Sequence, residues 1–424
     1  MLEKIRQIWQ IRDLRKSLLF VLTMLVIFRV AAHIPVPGIN LENLKDFFSR
    51  NEMLGMLNIL SGGAMTNFSL VAMGVAPYIT ASIIMQLLTM IVPRLEELSK
   101  EGASGYQKIN QYSRLLTVPL AVLQSYGMIM LFRQSSQPIV GSLSTFELFN
   151  IIMVMTAGTI FLMWLGELIT EKKIGNGVSL LIFAGIVEGI PLSVQRTIAT
   201  FSKEQIFTLL ILIVLALITI AGVVIITEGQ RNIPVTYARR IRGNRMYGGT
   251  DTYLPLKVNQ AGMIPIIFAI SIVLFPGLIG QLMSRSGSLF INKFGQVLMH
   301  ITQNQLIYGL MYFVLVVAFT YFYTSIIFHP AQIAENLQKQ GGFIPGLRPG
   351  QPTTEHLSNV STRIMLVGAL SLGVIAVLPI ITQNIFKFST FVIGGAAILI
   401  VVSVVLETVK QIQAQISMHE YEGI

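Results

Sequence analysis

The run from Met53 to Pro93 carries no charged side chain, and no single membrane span can hold it. A helix of that length would be about 60 Å long, roughly twice the ~30 Å hydrocarbon core. The run is also punctuated. Gly62 and Gly63 interrupt it early, and Gly74 with Pro77 break it near the middle. Between the breaks, Ala64 to Met73 is too short to span and holds Thr66, Asn67 and Ser69, whereas Val75 to Pro93 is long enough. The pattern predicts a half-helix that dips in and stops, followed by a true span. Irregular backbone survives at membrane depth only where protein or a water-filled cavity surrounds it. The sequence therefore predicts an enclosed cavity with a short plug-like segment in it.

Composition supports a membrane protein. Charged residues make up 12% of the chain, against about 25% in soluble domains, and mean hydropathy is +0.69. Apolar runs predict about ten spans. They lie near 17–34, 75–92, 115–132, 148–166, 178–191, 206–227, 258–283, 306–328, 364–382 and 391–406. Gly262, Pro265 and Pro276 predict a bend in the seventh. The N-terminal stretch is basic and amphipathic, with no small-residue cleavage site after the first apolar run. It reads as an interfacial helix rather than a removed signal peptide. The net charge of +10 comes with no basic-aromatic nucleic-acid reader motif.

Placing the N-terminus in the cytoplasm puts most basic residues on that side. Arg29, Lys45, Arg50 and Arg133 are among the few left outside. Both termini are then inside. Ten spans can divide into five plus five, the arithmetic of an inverted repeat with its site between the halves. Two long cytoplasmic connections stand out, 228–257 and 329–363. The first is rich in arginine, and the second contains Gly341-Gly-Phe-Ile-Pro-Gly-Leu-Arg-Pro-Gly350. Such loops suit anionic lipid or the docking of a soluble partner.

Catalytic chemistry is poorly represented. The chain has no cysteine, which removes thiolate nucleophiles, thiolate metal sites and disulfides. HExxH and P-loop motifs are missing. Gly175-Asn176-Gly177 fails as a dinucleotide fingerprint, because Leu180 stands where glycine is needed. Gly102-Ala-Ser-Gly105 matches the GxSG of rhomboid proteases. However, Ser104 lies in a polar loop beside Lys100, Glu101 and Lys108, and no histidine falls mid-span. Ion-coupled carriers place charges deep in the bilayer. Here Arg29, Glu167 and Glu188 fall near span ends, where snorkelling is available. An inverted-repeat secondary transporter of a small solute, with a carbonyl-built ion site, is the alternative reading.

Motifs along the whole chain carry a resemblance. They are Ile34-Pro-Val-Pro-Gly-Ile39, Gly62-Gly63, Pro77-Tyr-Ile-Thr-Ala-Ser-Ile-Ile-Met-Gln-Leu-Leu88 and Trp164-Leu-Gly-Glu167. Gly175-Asn-Gly177, Arg231-Asn-Ile-Pro-Val235, Tyr253-Leu-Pro-Leu-Lys-Val-Asn259 and the Gly341–Gly350 segment follow in order. The chain resembles the bacterial SecY family, the central subunit of the Sec protein-export translocon. The resemblance implies an all-α polytopic membrane protein of ten transmembrane helices. These form two inverted five-helix halves, 1–200 and 201–424, around an hourglass pore, with a short re-entrant plug helix at about 62–74. It implies a protein-conducting channel for unfolded preproteins and their signal sequences, with lateral release of membrane segments. It also implies no catalytic activity, cofactor or metal.

Carried over motif by motif, the apolar pore ring falls on Ile79, Ile83, Val178, Ile182, Ile267 and Ile400. Val178 is smaller than the family's usual isoleucine. Ile79 and Ile83, like Val178 and Ile182, are four residues apart and share a helix face. The plug comprises Gly63, Ala64, Met65, Thr66, Asn67, Phe68, Ser69 and Leu70. Thr89, Gln124 and Asn259 fall at the lateral gate, where hydrogen bonds across helices contribute about 0.6–2 kcal/mol each. Arg239, Arg240, Arg242 and Arg348 correspond to docking positions for the SecA motor ATPase or the ribosome. SecE and SecG subunits and anionic lipids are further implied partners, and the bacterial cytoplasmic membrane is the implied location. Near Ala103 and Tyr106 the chain departs from the family's usual acidic and arginine residues. The absence of cysteine makes the topology directly testable. Single cysteines placed within 228–257 or 329–363 are expected to react with a membrane-impermeant maleimide in inside-out vesicles and not in intact cells.

Overall fold

Long apolar runs fold as helices because each backbone N–H and C=O then finds its partner within the segment. The computed structural model describes residues 8–37, 39–50, 58, 61, 63–133, 139, 144–199, 206–237, 240–242, 245–247, 251–273, 275–284, 289–386 and 395–422. Gly62 and Arg239 lie outside the described residues. Among the described residues, five helices are long and apolar enough to cross a membrane: Ser104–Arg133, Thr145–Glu171, Gln305–Lys339, Gln351–Thr382 and Ala397–His419. A sixth is the pair Ala76–Ile91 and Pro93–Lys100, bent by 100°. Shorter apolar helices occupy Gly177–Pro191, Ile213–Glu228 and Ile264–Val273.

The chain forms two compact units, one of residues 1–202, 274–303 and 404–424, the other of 203–273 and 304–403. The first contains α1 (Arg12–Ala32), α2 (Leu41–Arg50), α3 (Ala76–Ile91), α4 (Pro93–Lys100) and α5 (Ala103–Arg133). It continues with α6 (Thr145–Glu171) and α7 (Gly177–Ala199). α6 packs against α1, α3, α5 and α7. Its start is locked by a capping box, in which Glu147 N donates to Ser144 Oγ at 3.2 Å and Ser144 N to the Glu147 carboxylate at 2.7 Å.

Close approaches in this unit require glycine. A Cβ on Gly177 would stand 1.8 Å from the Gly166 carbonyl oxygen. The Gly177 N–H is held by Thr170 Oγ1 at 2.9 Å, so α6 and α7 meet backbone to backbone. Gly105 plays the same part between α5 and α4, where a Cβ would lie 1.7 Å from the Leu98 carbonyl oxygen. The glycine of the GxSG match therefore serves packing, and Ser104 is exposed.

The second unit contains α8 (Ile206–Glu228), strands β1 (Gln230–Tyr237), β2 (Arg240–Arg242), β3 (Arg245–Tyr247) and β4 (Asp251–Lys257), and α9 (Ile264–Val273). The helices α10 (Phe275–Met283) and α11 (Leu289–Gln303), which follow α9 in sequence, belong to the first unit. The second unit resumes with α12 (Gln305–Ile327), α13 (Pro330–Lys339), β5 (Gly342–Phe343) and α14 (Gln351–Phe386). α14 packs on α12, α13 and α8, and α12 packs on α9. The last helix, α15 (Gly395–Glu422), begins in the second unit and ends in the first.

The all-α expectation is corrected here: the chain is mostly helical, and its long connections contain β-structure. β1 pairs antiparallel with β4 from Gln230↔Lys257 to Thr236↔Asp251, and with β5 at Thr236↔Phe343 and Tyr237↔Gly342. Strand alternation turns Ile233 and Val235 inward, onto Leu256, Leu337, Ile344, Leu357 and Val360. Pro234 is tolerated because β5 meets only the end of β1, leaving that edge open where the proline lacks its N–H.

Introducing a methyl group at the α6–α7 contact tests the packing. Gly177→Ala is expected to cost about 1–3 kcal/mol, seen as a lowered thermal midpoint in detergent. Gly222→Ala, whose added carbon would meet nothing within 4 Å beyond its own stretch of helix, is expected to leave that midpoint unchanged.

Candidate channel and plug site

The predicted half-helix is instead a chain of turns. From Gly63 to Val75 the backbone is turned throughout, apart from a bridge between Pro35 and Ser69. Three residues take positive φ: Gly63 at 79°, Gly74 at 58° and Phe68 at 39°. A non-glycine residue in that region interrupts any right-handed helix. The backbone groups are satisfied by other means. Phe68 N donates to Met65 O, Ala72 N to Ser69 O and Gly74 N to Val71 O at 2.8–3.0 Å. The chain after α1 completes the pattern: Val36 N donates to Phe68 O and Leu70 N to Ile34 O, both at 2.9 Å. Asn58 Oδ1 accepts from Thr66 N at 3.1 Å, and Thr66 Oγ1 donates to Gly63 O at 2.9 Å.

Side chains hold this segment from three directions. Phe68, Met65, Ala72 and Met73 are buried in one core with Phe48, Ile129, Phe132, Ile151 and Met155. Phe132 makes edge-to-face contacts with Phe68, Phe48 and Phe47 at 5.8–6.2 Å. From α6, Gly158 approaches so closely that a Cβ there would lie 1.9 Å from the Leu70 carbonyl oxygen. Ala64, Met65, Phe68 and Ser69 are buried, and Thr66 and Leu70 partly so.

Two ion pairs frame the unit. Arg29 Nη1 at the end of α1 donates to the Glu188 carboxylate on α7, and His33 Nε2 lies 3.4 Å from the same carboxylate. A Cβ on Gly63 would stand 3.8 Å from Glu188 Oε2, so this cluster abuts the first turn of the segment. Arg114 on α5 meets Glu167 on α6 at 2.5 Å. The span-end charges thus pair with one another rather than only snorkelling. With the Phe132 cluster at one end and Arg114–Glu167 at the other, α5 and α6 run in opposite directions. Gln415 Nε2 on α15 donates to the Lys173 carbonyl at 2.8 Å, placing the end of the last helix beside the α6–α7 turn.

The six residues expected to form the ring lie on four apolar helices. Ile79 and Ile83 are on α3, Val178 and Ile182 on α7, Ile267 on α9 and Ile400 on α15. All are buried except Val178, which is half-buried. The first four belong to one unit and the last two to the other. Of the three residues expected at the gate, Thr89 Oγ1 donates to Gln86 O at 2.7 Å within α3. Asn259 Nδ2 donates to Gly262 O at 3.0 Å, next to the positive-φ Gly262, and its Oδ1 is buried. Gln124 is half-buried on α5. Two of the three therefore bond to their own segments.

Arg348 is exposed on the turn between β5 and α14, its carbonyl held by Thr353 Oγ1 at 2.9 Å. Arg240 and Arg242 lie two apart on β2, whose register sets Arg242 opposite Arg245. Among the described residues, no group of three or more His, Asp or Glu side chains could hold a metal. The sequence reading missed Arg29, Glu188, Gly158 and Phe132 as neighbours of the plug segment. Only a pairing signal between Arg29 and Glu188, 159 positions apart, could have found the first two.

The SecY family profile matches residues 69–409. The SecY protein translocase subunit of Mycobacterium tuberculosis is 46% identical over 431 residues, covering 97% of each chain. That of Corynebacterium glutamicum is 45% identical with the same coverage. The chain belongs to the SecY family. SecY-family members are protein-conducting channels and not enzymes, and this chain is a multi-pass membrane protein of that kind.

Solved structures agree at the level of fold. A SecY structure described for a plug domain that stabilises the closed state and maintains a membrane seal matches with a TM-score of 0.63 at 19% identity. It covers 93% of this chain and 91% of that one. Sec61 in a canine ribosome–channel complex matches with a TM-score of 0.59 at 16% identity, covering 94% and 91%. The turn segment can be loosened without touching its backbone. Phe68→Ala is expected to cost about 3–5 kcal/mol locally. A cysteine at Thr66 should then be labelled more than tenfold faster in the idle protein.

Proposed function

We propose that the chain conducts unfolded polypeptides through a pore whose narrowest point is the ring of Ile79, Ile83, Val178, Ile182, Ile267 and Ile400. The turn segment from Gly63 to Leu70 serves as its plug. The carrying observation is the way that segment is held: buried, charge-free, and tied by hydrogen bonds and aromatic edges rather than by a continuous helix. Such a piece can leave as a unit, because its internal turns travel with it while its contacts to Ile34–Val36, Asn58, Gly158 and the Phe132 core break.

An apolar ring suits the task. A charged or hydrogen-bonding wall would retain some sequences and reject others, whereas an apolar constriction dewets and resists ion leakage when empty. We assign the finer architecture to ten spans in two inverted halves, 1–200 and 201–424, around an hourglass pore, with both termini cytoplasmic. The seam for lateral release lies at Thr89, Gln124 and Asn259. Local bonding of Thr89 and Asn259 supports a gate that opens without breaking many hydrogen bonds across helices.

Energy comes from outside, since no nucleotide motif is present. The β1–β4 hairpin and the β5 turn give a motor ATPase or the ribosome one folded basic platform, with Arg240, Arg242 and Arg348 as contacts and Arg239 added from the sequence. Guanidinium groups match carboxylate or phosphate acceptors. SecE, SecG and anionic lipids of the bacterial cytoplasmic membrane complete the set of partners.

The cysteine-free background allows a direct test. A cysteine at Ile83 is expected to form a disulfide with a cysteine in a preprotein stalled halfway, and only when the motor or ribosome is present. Failure at Ile83, Ile182 and Ile267 alike, with export intact, would remove the ring assignment.

A further inference from the structure

The helix α11, Leu289–Gln303, has three distinct sides. One side packs on α10 in the first unit: a Cβ on Gly295 would stand 2.5 Å from Ser284 N and 2.8 Å from the Gly280 carbonyl oxygen. A second side begins with the exposed Leu289 and then carries Asn292, Lys293, Gln296 and His300, with Gln296 Nε2 donating to Asn292 Oδ1 at 2.9 Å. The third side carries Phe290, Phe294, Val297 and Ile301, at spacings of four, three and four that keep them on one face. Phe290 is 81% exposed, Phe294 50% and Val297 54%.

This is not the pattern of a helix crossing a bilayer, which would be apolar around its free circumference. Nor is it that of a helix in water, since two exposed phenylalanines and a valine on one stripe are a costly surface to hydrate. A three-sided helix of this kind fits a boundary between lipid and water, with the apolar stripe down, the amide and imidazole side up, and the glycine side clamped to its own protein.

The connection to the next element supports the same placement. After Gln303 only Asn304 intervenes before α12, and Asn304 caps that helix by accepting from Leu306 N at 3.1 Å and Ile307 N at 3.3 Å. The chain therefore passes from α11 directly into a membrane-crossing helix, so α11 ends where a span begins. Lys293 stands where its stem can lie along the apolar border while the ammonium reaches lipid phosphates.

We infer that α11 is an in-plane membrane anchor that seats Phe290, Phe294 and Val297 in the interfacial lipid of the bilayer. The occupant of the apolar face is lipid, not a second copy and not a partner subunit.

Nitroxide scanning of single-cysteine variants tests this in the complete complex, reconstituted in phosphatidylethanolamine–phosphatidylglycerol vesicles and still competent for export. Labels at positions 290, 294 and 297 are expected to collide with oxygen several-fold more than with a water-soluble nickel chelate. Positions 292, 296 and 300 are expected to give the reverse. Free chelate access at 290, 294 and 297 would put that face in water and overturn the inference. Exclusion of both reagents from those three positions would assign the face to protein and overturn it equally. A Phe290→Ser, Phe294→Ser double variant gives a second readout. Fluorescence of a label at position 297 should shift to the red, with the label at 296 unchanged. A spectrum unmoved at 297 counts against the lipid contact.

Discussion

Everything around the candidate pore depends on one requirement: backbone polar groups enclosed in a membrane protein must find partners even where the chain is not a helix. The turn segment meets it by borrowing. Ile34 and Val36, in the stretch leaving α1, lend a carbonyl and an amide to Leu70 and Phe68, and the side chain of Asn58 serves Thr66. Each of those bonds ties the segment to something that does not belong to it. An irregular piece of chain is thereby seated without a helix of its own, and without the unpaired amides that would cost about 1–3 kcal/mol apiece.

The helices around the segment are placed by contacts of a different kind. Bare backbone meets backbone at Gly177 on Gly166 and at Gly158 on Leu70, which brings α6 close to both α7 and the segment. Charges then fix directions, with Arg29 against Glu188 at the end beside Gly63 and Arg114 against Glu167 at the other. Small residues set distances and ion pairs set polarity. The isoleucines at 79, 83 and 182 are buried apolar side chains and take no part in either kind of contact.

Much of this was legible in the sequence for identifiable reasons. The runs that became α5, α6 and α12 are long and uncharged, and length alone separates such helices from strands. The breaks at Gly74 and Pro77 marked the start of α3 correctly. The half-helix over Ala64–Met73 failed because composition favours a helix there while Phe68 takes φ 39°. That choice is imposed by Phe132 and the Ile34–Val36 stretch, which are distant in sequence. The strands were missed because Arg231, Asn232 and Pro234 disguise β1, although Ile233 and Val235 alternate as a half-buried strand should. The partners of Glu188 and Gly158 could not be read at all, since nothing local distinguishes a glycine that touches a carbonyl from one that does not. The four-residue spacing of Ile79 and Ile83 indicated one helix face, and both are buried on α3.

The pairing of β1 with β5 rests on two residue pairs, Thr236↔Phe343 and Tyr237↔Gly342, with the Tyr237 ring lying over Gly342. It stitches together two connections more than a hundred residues apart. A load applied at the Arg348 turn is therefore carried into the hairpin as well, and from there into α8 as well as α14. With so few rungs the stitch behaves as a mechanical fuse. Its two residue pairs are the whole of the β1–β5 ladder, so parting them would leave each connection free to yield alone.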